Sequence, residues 1–96
     1  MRDRSQVVAR SYLISGRVQG VGFRYFAERT ARTIGVSGFV KNLSDGRVEA
    51  HAEGSLEQLS EFESRLREGP RWAQVQHVEA HEAAMLKLGS FKILPE

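Results

Sequence analysis

The sequence predicts an α+β fold in which two helices cover one face of a mostly antiparallel sheet of four to five strands. Two segments carry apolar residues at helical spacing, and several short segments are β-branched or alternate between apolar and polar residues. These segments follow one another as strand, helix, strand, strand, helix and strand. That order is typical of the ferredoxin-like, split β-α-β sandwich.

The first half of the chain predicts a strand, a helix and a second strand. The sequence VVARSYLIS at 7–15 is apolar on both faces, as in a strand that is flanked on each side and covered by helices. Gly35 is expected to end the helix that follows, in a left-handed conformation. The second strand is VSGFVKN at 36–42. The apolar face of the helix consists of Phe23, Phe26, Ala27, Thr30, Ala31 and Ile34.

A hairpin is predicted in the middle of the chain. The turn Leu43-Ser44-Asp45-Gly46 lies between the second strand and RVEAHAE at 47–53, and Asp-Gly between two such runs favours a tight hairpin. In this third strand Val48, Ala50 and Ala52 form an apolar face. Its opposite, polar face consists of Arg47, Glu49, His51 and Glu53.

The second helix has clear start and stop signals. The run from Ser55 to Gln58 resembles a capping box, and Gly69-Pro70 ends the helix. A fourth strand is predicted within 73–82 and a short edge strand at 91–94. The apolar stripe of this helix is predicted to consist of Leu56, Leu59, Phe62 and Leu66.

Composition indicates a single domain over residues 1–96. This length suffices for a modest core, and 14 Lys+Arg against 12 Asp+Glu leave a net charge of only +2, which does not indicate a polyanion partner. The absence of cysteine excludes disulfides and thiolate chemistry. No apolar run has the length of a signal peptide or a membrane span. We therefore expect a cytoplasmic protein with no membrane partner, and we expect a monomer.

The predicted topology brings two distant segments together. One helix crosses between the first two strands, so they run in the same direction, and in this fold the third strand inserts between them. Their carboxyl ends then share one edge of the sheet. A glycine-rich loop leaves the first strand at that edge, and Asn42 ends the second strand.

The loop reads GRVQGVGFR at 16–24. Glycines at such positions permit positive φ and close approach of a ligand to the backbone, and successive N–H groups at a helix N-terminus attract an anion. Arg24 in the first turn of the helix opposes the helix dipole, a conflict that a bound anion would remove. The alternative is that the glycines only turn the chain and that Arg24 is solvated. A Walker loop and a dinucleotide loop do not match, since Tyr25 stands where the latter needs glycine.

Other polar residues have weaker functional signals. Asn42 can hold a water molecule without changing charge, or it can simply serve the hairpin. Arg17 can assist the approach of a substrate, or it can be solvated. The three histidines lie on separate strand segments without the paired spacing of a metal centre, so we expect no metal site. They are His51, His77 and His81.

The chain resembles the acylphosphatase family over nearly its whole length. The resemblance rests on GRVQGVGFRYF at 16–26, GFVKNLSDGRVEAHAEG at 38–54, Gly69-Pro70 and FKI at 91–93. It implies the hydrolysis of small acyl phosphates to a carboxylate and inorganic phosphate, with no metal, no cofactor and no covalent intermediate. It also implies that Arg24 grips the phosphate and is catalytic, and that Asn42 positions the attacking water. The implied phosphate cradle consists of Gly16, Arg17, Val18, Gln19, Gly20, Val21 and Gly22, together with Arg24.

Two positions depart from the family pattern. Phe39 stands where many relatives have tryptophan, and we expect it to fill the same apolar position. Trp72, after Arg71, is expected to pack under or beside its own loop. The alternative function is a non-catalytic module on the same fold that binds an anion or RNA. RNA is disfavoured because such sheets stack bases on exposed aromatic residues, whereas strand 47–53 presents a polar face.

Overall fold

The computed structural model describes residues 6–95 and has the predicted architecture, two helices on one face of a five-stranded sheet. The expectations that concern residues 1–5 and 96 lie outside the described residues. In chain order the elements are β1 (Val8–Arg17), α1 (Phe23–Ile34), β2 (Ser37–Asn42), β3 (Val48–Gly54), α2 (Leu56–Glu68), β4 (Gln74–Glu82) and β5 (Phe91–Ile93).

The sheet has the strand order β4-β1-β3-β2-β5, and only β2 and β5 pair in parallel. As predicted, β3 lies between β1 and β2, whose carboxyl ends share one edge. Val48 of β3 is the register partner of both Ile14 in β1 and Asn42 in β2. Asn42 therefore stands level with Ile14, about 10 Å away across two strand spacings.

Both helices begin and end near the predicted residues. Gly35, with φ 99°, ends α1. At the start of α2 the Ser55 hydroxyl accepts a hydrogen bond from the Gln58 N–H at 3.1 Å, and Gln58 Oε1 accepts one from the Ser55 N–H at 2.9 Å. Of the predicted apolar stripe, Leu59, Phe62 and Leu66 are buried, whereas Leu56 in the first turn of α2 is 62% exposed. Within residues 6–95 no helix is long and apolar enough to cross a membrane.

The core lies between the helices and the sheet, and three aromatic rings connect its two layers. Phe62 of α2 contacts the Tyr12 ring of β1 and the Phe91 ring of β5 edge to face, each at a centroid distance of 5.7 Å. Burial raises the pKa of Tyr12 to about 12, so its phenol stays neutral at physiological pH. An inner strand and an edge strand of the sheet thus both contact one ring of α2.

The opposite face of the sheet is covered by the connection between β4 and β5, residues 83–90, which we call the crossing segment. The Glu53 carboxylate accepts hydrogen bonds from the backbone N–H of Leu86 at 2.5 Å and of Lys87 at 3.0 Å. His51 Nε2 lies 2.7 Å from Glu53 Oε2, and the Phe39 ring stacks on the His51 ring at 5.5 Å.

This cover changes two of the predictions. The polar face of β3 is not open to solvent at its end, since His51 and Glu53 are both only 4% exposed. Within residues 6–95 both helices lie on one face of the sheet, so the other face of β1 is not covered by helices, contrary to what its apolar sequence had suggested. The crossing segment has no periodicity that would have revealed its place over the sheet.

Candidate functional site

The glycine-rich segment begins its turn later than predicted, because β1 continues through Gly16 and Arg17. The pairing of β1 with β4 shifts register between Ser15 and Gly16. Gly16 has φ 124°, and a Cβ there would collide with the Gln74 carbonyl oxygen of β4. The close approach of β4 therefore requires glycine at this position. From the sequence motif alone, such a glycine cannot be distinguished from one that contacts a ligand.

Gly20 and Gly22 have a different environment. Their φ angles are 74° and 80°, and a Cβ added to either would meet no atom within 4 Å. Gly22 is the N-cap of α1 and provides no side-chain hydrogen bond to the helix, whose first turn contains no acidic residue. Since the first N–H groups of a helix lack intrahelical acceptors, this end of α1 can bind an anion.

The remaining loop side chains fall into two groups. Val18 is 1% exposed and Val21 packs on the core, so these two anchor the loop from below. Arg17 is exposed, and Arg24 is half-buried as the second residue of α1. The structure thus places a guanidinium in the first turn of α1, as the sequence indicated.

Gln19 attaches the loop to the β2–β3 hairpin. Its side-chain Nε2 donates to the carbonyl oxygen of Leu43 at 2.8 Å and to that of Arg47 at 2.9 Å. Leu43 directly follows Asn42, so these bonds connect the loop to the end of β2. Gln19 was predicted as a member of the cradle, but this role of its side chain was not predicted. The only signal was a carboxamide, with two N–H donors, inside an otherwise apolar glycine loop.

The hairpin turn that receives Gln19 is itself braced. The Leu43 N–H donates to the Arg47 carbonyl oxygen at 2.8 Å. The Asp45 carboxylate accepts hydrogen bonds from the Arg47 backbone N–H at 3.1 Å and from its Nε at 3.0 Å. Hydrogen bonds from Arg47 hold the pKa of Asp45 below its ordinary value and raise the pKa of Arg47. Both carbonyl acceptors of Gln19 are therefore held in a fixed turn.

Asn42 ends β2 and is buried, with 9% exposure. Its neighbour Leu43 is held by Gln19, and Gln19 lies three residues before the N-cap of α1. The structure therefore brings the two predicted motifs, 16–24 and Asn42, to one edge of the sheet. Among the predicted cradle residues, Gly16 differs from Gly20 and Gly22, because its contact with β4 is enough to explain why a glycine is needed there.

The histidines are not gathered at one place. His77 and His81 lie exposed on β4, while His51 is buried with Glu53 on β3. Among residues 6–95 no group of three His, Asp or Glu side chains is arranged to hold a metal ion. Phe39 is half-buried against His51. Trp72 was expected to pack under or beside its own loop; its side chain contacts Arg71 of that turn and is otherwise largely exposed, at 70%.

Comparison with known proteins identifies the family of this chain. A model of the acylphosphatase family matches residues 10–93. An acylphosphatase from Solibacter usitatus is 48% identical over 85 residues, which cover 88% of this chain and 88% of that protein. The solved acylphosphatase from Bacillus subtilis superposes with a TM-score of 0.86 at 36% identity, covering 93% of this chain and 99% of that one. The acylphosphatase from Coxiella burnetii has a TM-score of 0.88 at 33% identity, covering 92% and 93%.

Proposed function

This chain belongs to the acylphosphatase family, hydrolases that act on acid anhydrides, and we propose that its loop at 16–22, Arg24 and Asn42 carry out the reaction. The substrates are small acyl phosphates, and the products are a carboxylate and inorganic phosphate. The strongest support for this assignment comes from the side chain of Gln19. The bonds from Gln19 to Leu43 and Arg47 hold the loop beside the end of β2, where Asn42 lies.

The phosphate group is bound by backbone N–H groups and one guanidinium. Open space at Gly20 and Gly22 lets a phosphate oxygen approach the main chain, and the positive end of the α1 dipole favours its charge. Arg24 forms charge-assisted hydrogen bonds to the phosphate oxygens. Arg17, Val18, Gln19 and Val21 contribute to the cradle through their backbone.

The chemical step needs little from the protein beyond positioning and charge stabilisation. Asn42 holds a water molecule whose oxygen attacks phosphorus, while the bond between phosphorus and the acyl oxygen breaks. The leaving group is a carboxylate, whose conjugate acid has a pKa of roughly 4, and one proton of the water passes to a phosphate oxygen. Charge on the transferring phosphoryl group is stabilised by Arg24 and the loop amides, as in phosphoryl transfer generally.

We further propose that the reaction uses no metal ion or cofactor and that residues 1–96 act as one domain, a monomer in the cytoplasm without nucleic-acid or membrane partners. Purified protein with benzoyl phosphate and EDTA tests the reaction directly, with release of inorganic phosphate as the readout. We expect turnover that EDTA does not reduce. Saturable binding of phosphate without turnover would instead indicate a non-catalytic anion-binding module.

A further inference from the structure

The turn between α2 and β4, residues 69–73, lies beside the glycine loop. A Cβ added to Gly69 would stand 3.6 Å from Cε2 of Phe23, the first residue of α1. After the turn, Gln74 is the strand partner of Arg17, the last residue before the loop. Both connections join the sheet to the helix layer at the same end of the molecule, so they lie next to each other.

Arg71 and Trp72 form the tip of this turn and are exposed. The guanidinium carbon of Arg71 lies 5.4 Å from the centroid of the Trp72 ring. Stacking on an aromatic face restricts the guanidinium while leaving its N–H donors available. Trp72 thus presents Arg71 rather than packing into the protein.

Several arginines within residues 6–95 form ion pairs with acidic side chains, whereas Arg17 and Arg71 do not. Arg32, Arg47 and Arg67 form ion pairs with Glu28, Asp45 and Glu63, respectively. Within residues 6–95, neither Arg17 nor Arg71 forms an ion pair. Two uncompensated positive charges therefore flank the start of the loop, in a chain whose net charge is only +2.

We propose that Arg71, held by Trp72, is a specificity-determining residue that binds a carboxylate on the acyl part of the substrate. The inference rests on the proposed function, in which Arg24 and the loop hold the phosphate. The turn that carries Arg71 lies beside the loop, since Gln74 pairs with Arg17 and Gly69 approaches Phe23, and we place the acyl part of the substrate on this side of the cradle. The enzyme then prefers acyl phosphates whose acyl group carries its own carboxylate over those whose acyl group is uncharged.

A matched set of three substrates isolates this contact. Benzoyl phosphate is compared with its 3-carboxy and 4-carboxy derivatives, each of which adds one carboxylate, at a different position on the ring. We expect at least one carboxylated substrate to have a kcat/KM about fivefold higher, the upper range for an exposed ion pair. Arg71→Ala should reduce that ratio to near one, and 0.5 M salt should weaken it in the wild type because the contact is exposed.

Two further variants separate a specific contact from general charge. Lys92→Ala removes one positive charge from β5, at the opposite edge of the sheet and about 19 Å from β4 by strand spacing, and should keep the wild-type ratio. Arg71→Lys should keep part of the ratio, since it retains the charge but loses the planar fork. A wild-type ratio near one for both derivatives, or a ratio unchanged by Arg71→Ala, would overturn the inference.

Binding gives a readout that does not depend on turnover. Trp72 is the only tryptophan in the chain, so its fluorescence reports on this turn. Benzylphosphonate and 4-carboxybenzylphosphonate, which cannot be hydrolysed, are titrated into the wild type and Arg71→Ala. Tighter binding of the carboxylated probe that disappears in Arg71→Ala supports the inference even if no acyl phosphate is turned over. Equal affinities, in a protein that hydrolyses benzoyl phosphate, reject it while leaving the proposed function intact.

Discussion

His51 Nε2 lies 2.7 Å from Glu53 Oε2 on β3, with side chains that are 6% and 2% exposed. Strand β4, which is separated from β3 by β1, carries a His–Glu pair in the reverse sequence order with the same distance, between His81 and Glu79, but there the side chains are 57% and 48% exposed. The two pairs share residue types, spacing and geometry and differ in burial. Only the buried carboxylate also receives backbone N–H groups of the crossing segment.

Glu53→Ala should destabilise the protein by about 3 kcal/mol, because it leaves two backbone N–H groups and a buried histidine without their acceptor. Glu79→Ala is the matched control and should change the free energy of unfolding little, since water replaces the partner of His81. Urea unfolding measures both. Equal effects of the two substitutions would show that Glu53 does not hold the crossing segment.

The same carboxylate predicts an acid-sensitive contribution to stability. Burial alone would raise the pKa of Glu53, but hydrogen bonds from His51, Leu86 and Lys87 outweigh it and lower that pKa below its usual value of 4.5. A group with a lowered folded-state pKa contributes its full stabilisation above its unfolded-state pKa and loses it as the pH falls through the folded-state value. The difference in unfolding free energy between wild type and Glu53→Gln should therefore be constant from pH 7 to pH 5 and shrink below about 4.5. A difference that does not vary down to pH 3 would contradict this account.

The glycines at 16 and 20 should separate stability from activity. Gly16→Ala forces a Cβ against the Gln74 carbonyl and should cost at least about 3 kcal/mol. Gly20→Ala has open space and should cost only the roughly 1 kcal/mol of a left-handed alanine, while its methyl group obstructs the phosphate. Thermal unfolding together with benzoyl phosphate hydrolysis tests the pair. A Gly20→Ala protein with full activity would place the phosphate elsewhere.

Gln19→Leu should retain the fold but lower kcat/KM by about 10- to 100-fold, because the loop loses its attachment to Leu43 and Arg47 and the bound phosphate shifts relative to Asn42. The control Gln76→Leu changes an exposed glutamine of β4 and should leave the rate unchanged. Steady-state kinetics measure both variants. If Gln19→Leu behaves like the control, the attachment has no role in catalysis.

Local signals in the sequence predicted the elements well. The capping box at Ser55 and the glycine at 35 each act within a few residues, so their outcome does not depend on the rest of the fold. The order of elements then predicted that the motifs at 16–24 and at Asn42 meet at one edge.

The features that were not predicted depend on distant contacts. The burial of His51 and Glu53 is produced by residues more than 30 positions later, in a segment without periodicity. The role of Gly16 depends on the register of β4, and the side-chain bonds of Gln19 depend on two carbonyl groups 24 and 28 residues away. A glycine adopts positive φ next to many different neighbours, and a glutamine side chain can bond to many different groups. The residue types alone therefore cannot identify the contact that each residue makes in the fold.

The division of roles between Arg24 and Asn42 is tested most directly by measuring kcat for benzoyl phosphate and the inhibition constant of inorganic phosphate in the same variants. Arg24→Ala should lower turnover by about 10²- to 10³-fold and also weaken inhibition by phosphate, because it removes a charged donor to the anion. Asn42→Ala should lower turnover while the inhibition constant stays at the wild-type value. A folded Arg24→Ala protein that retains wild-type turnover and phosphate inhibition would contradict the account, as would an Asn42→Ala protein that loses phosphate binding.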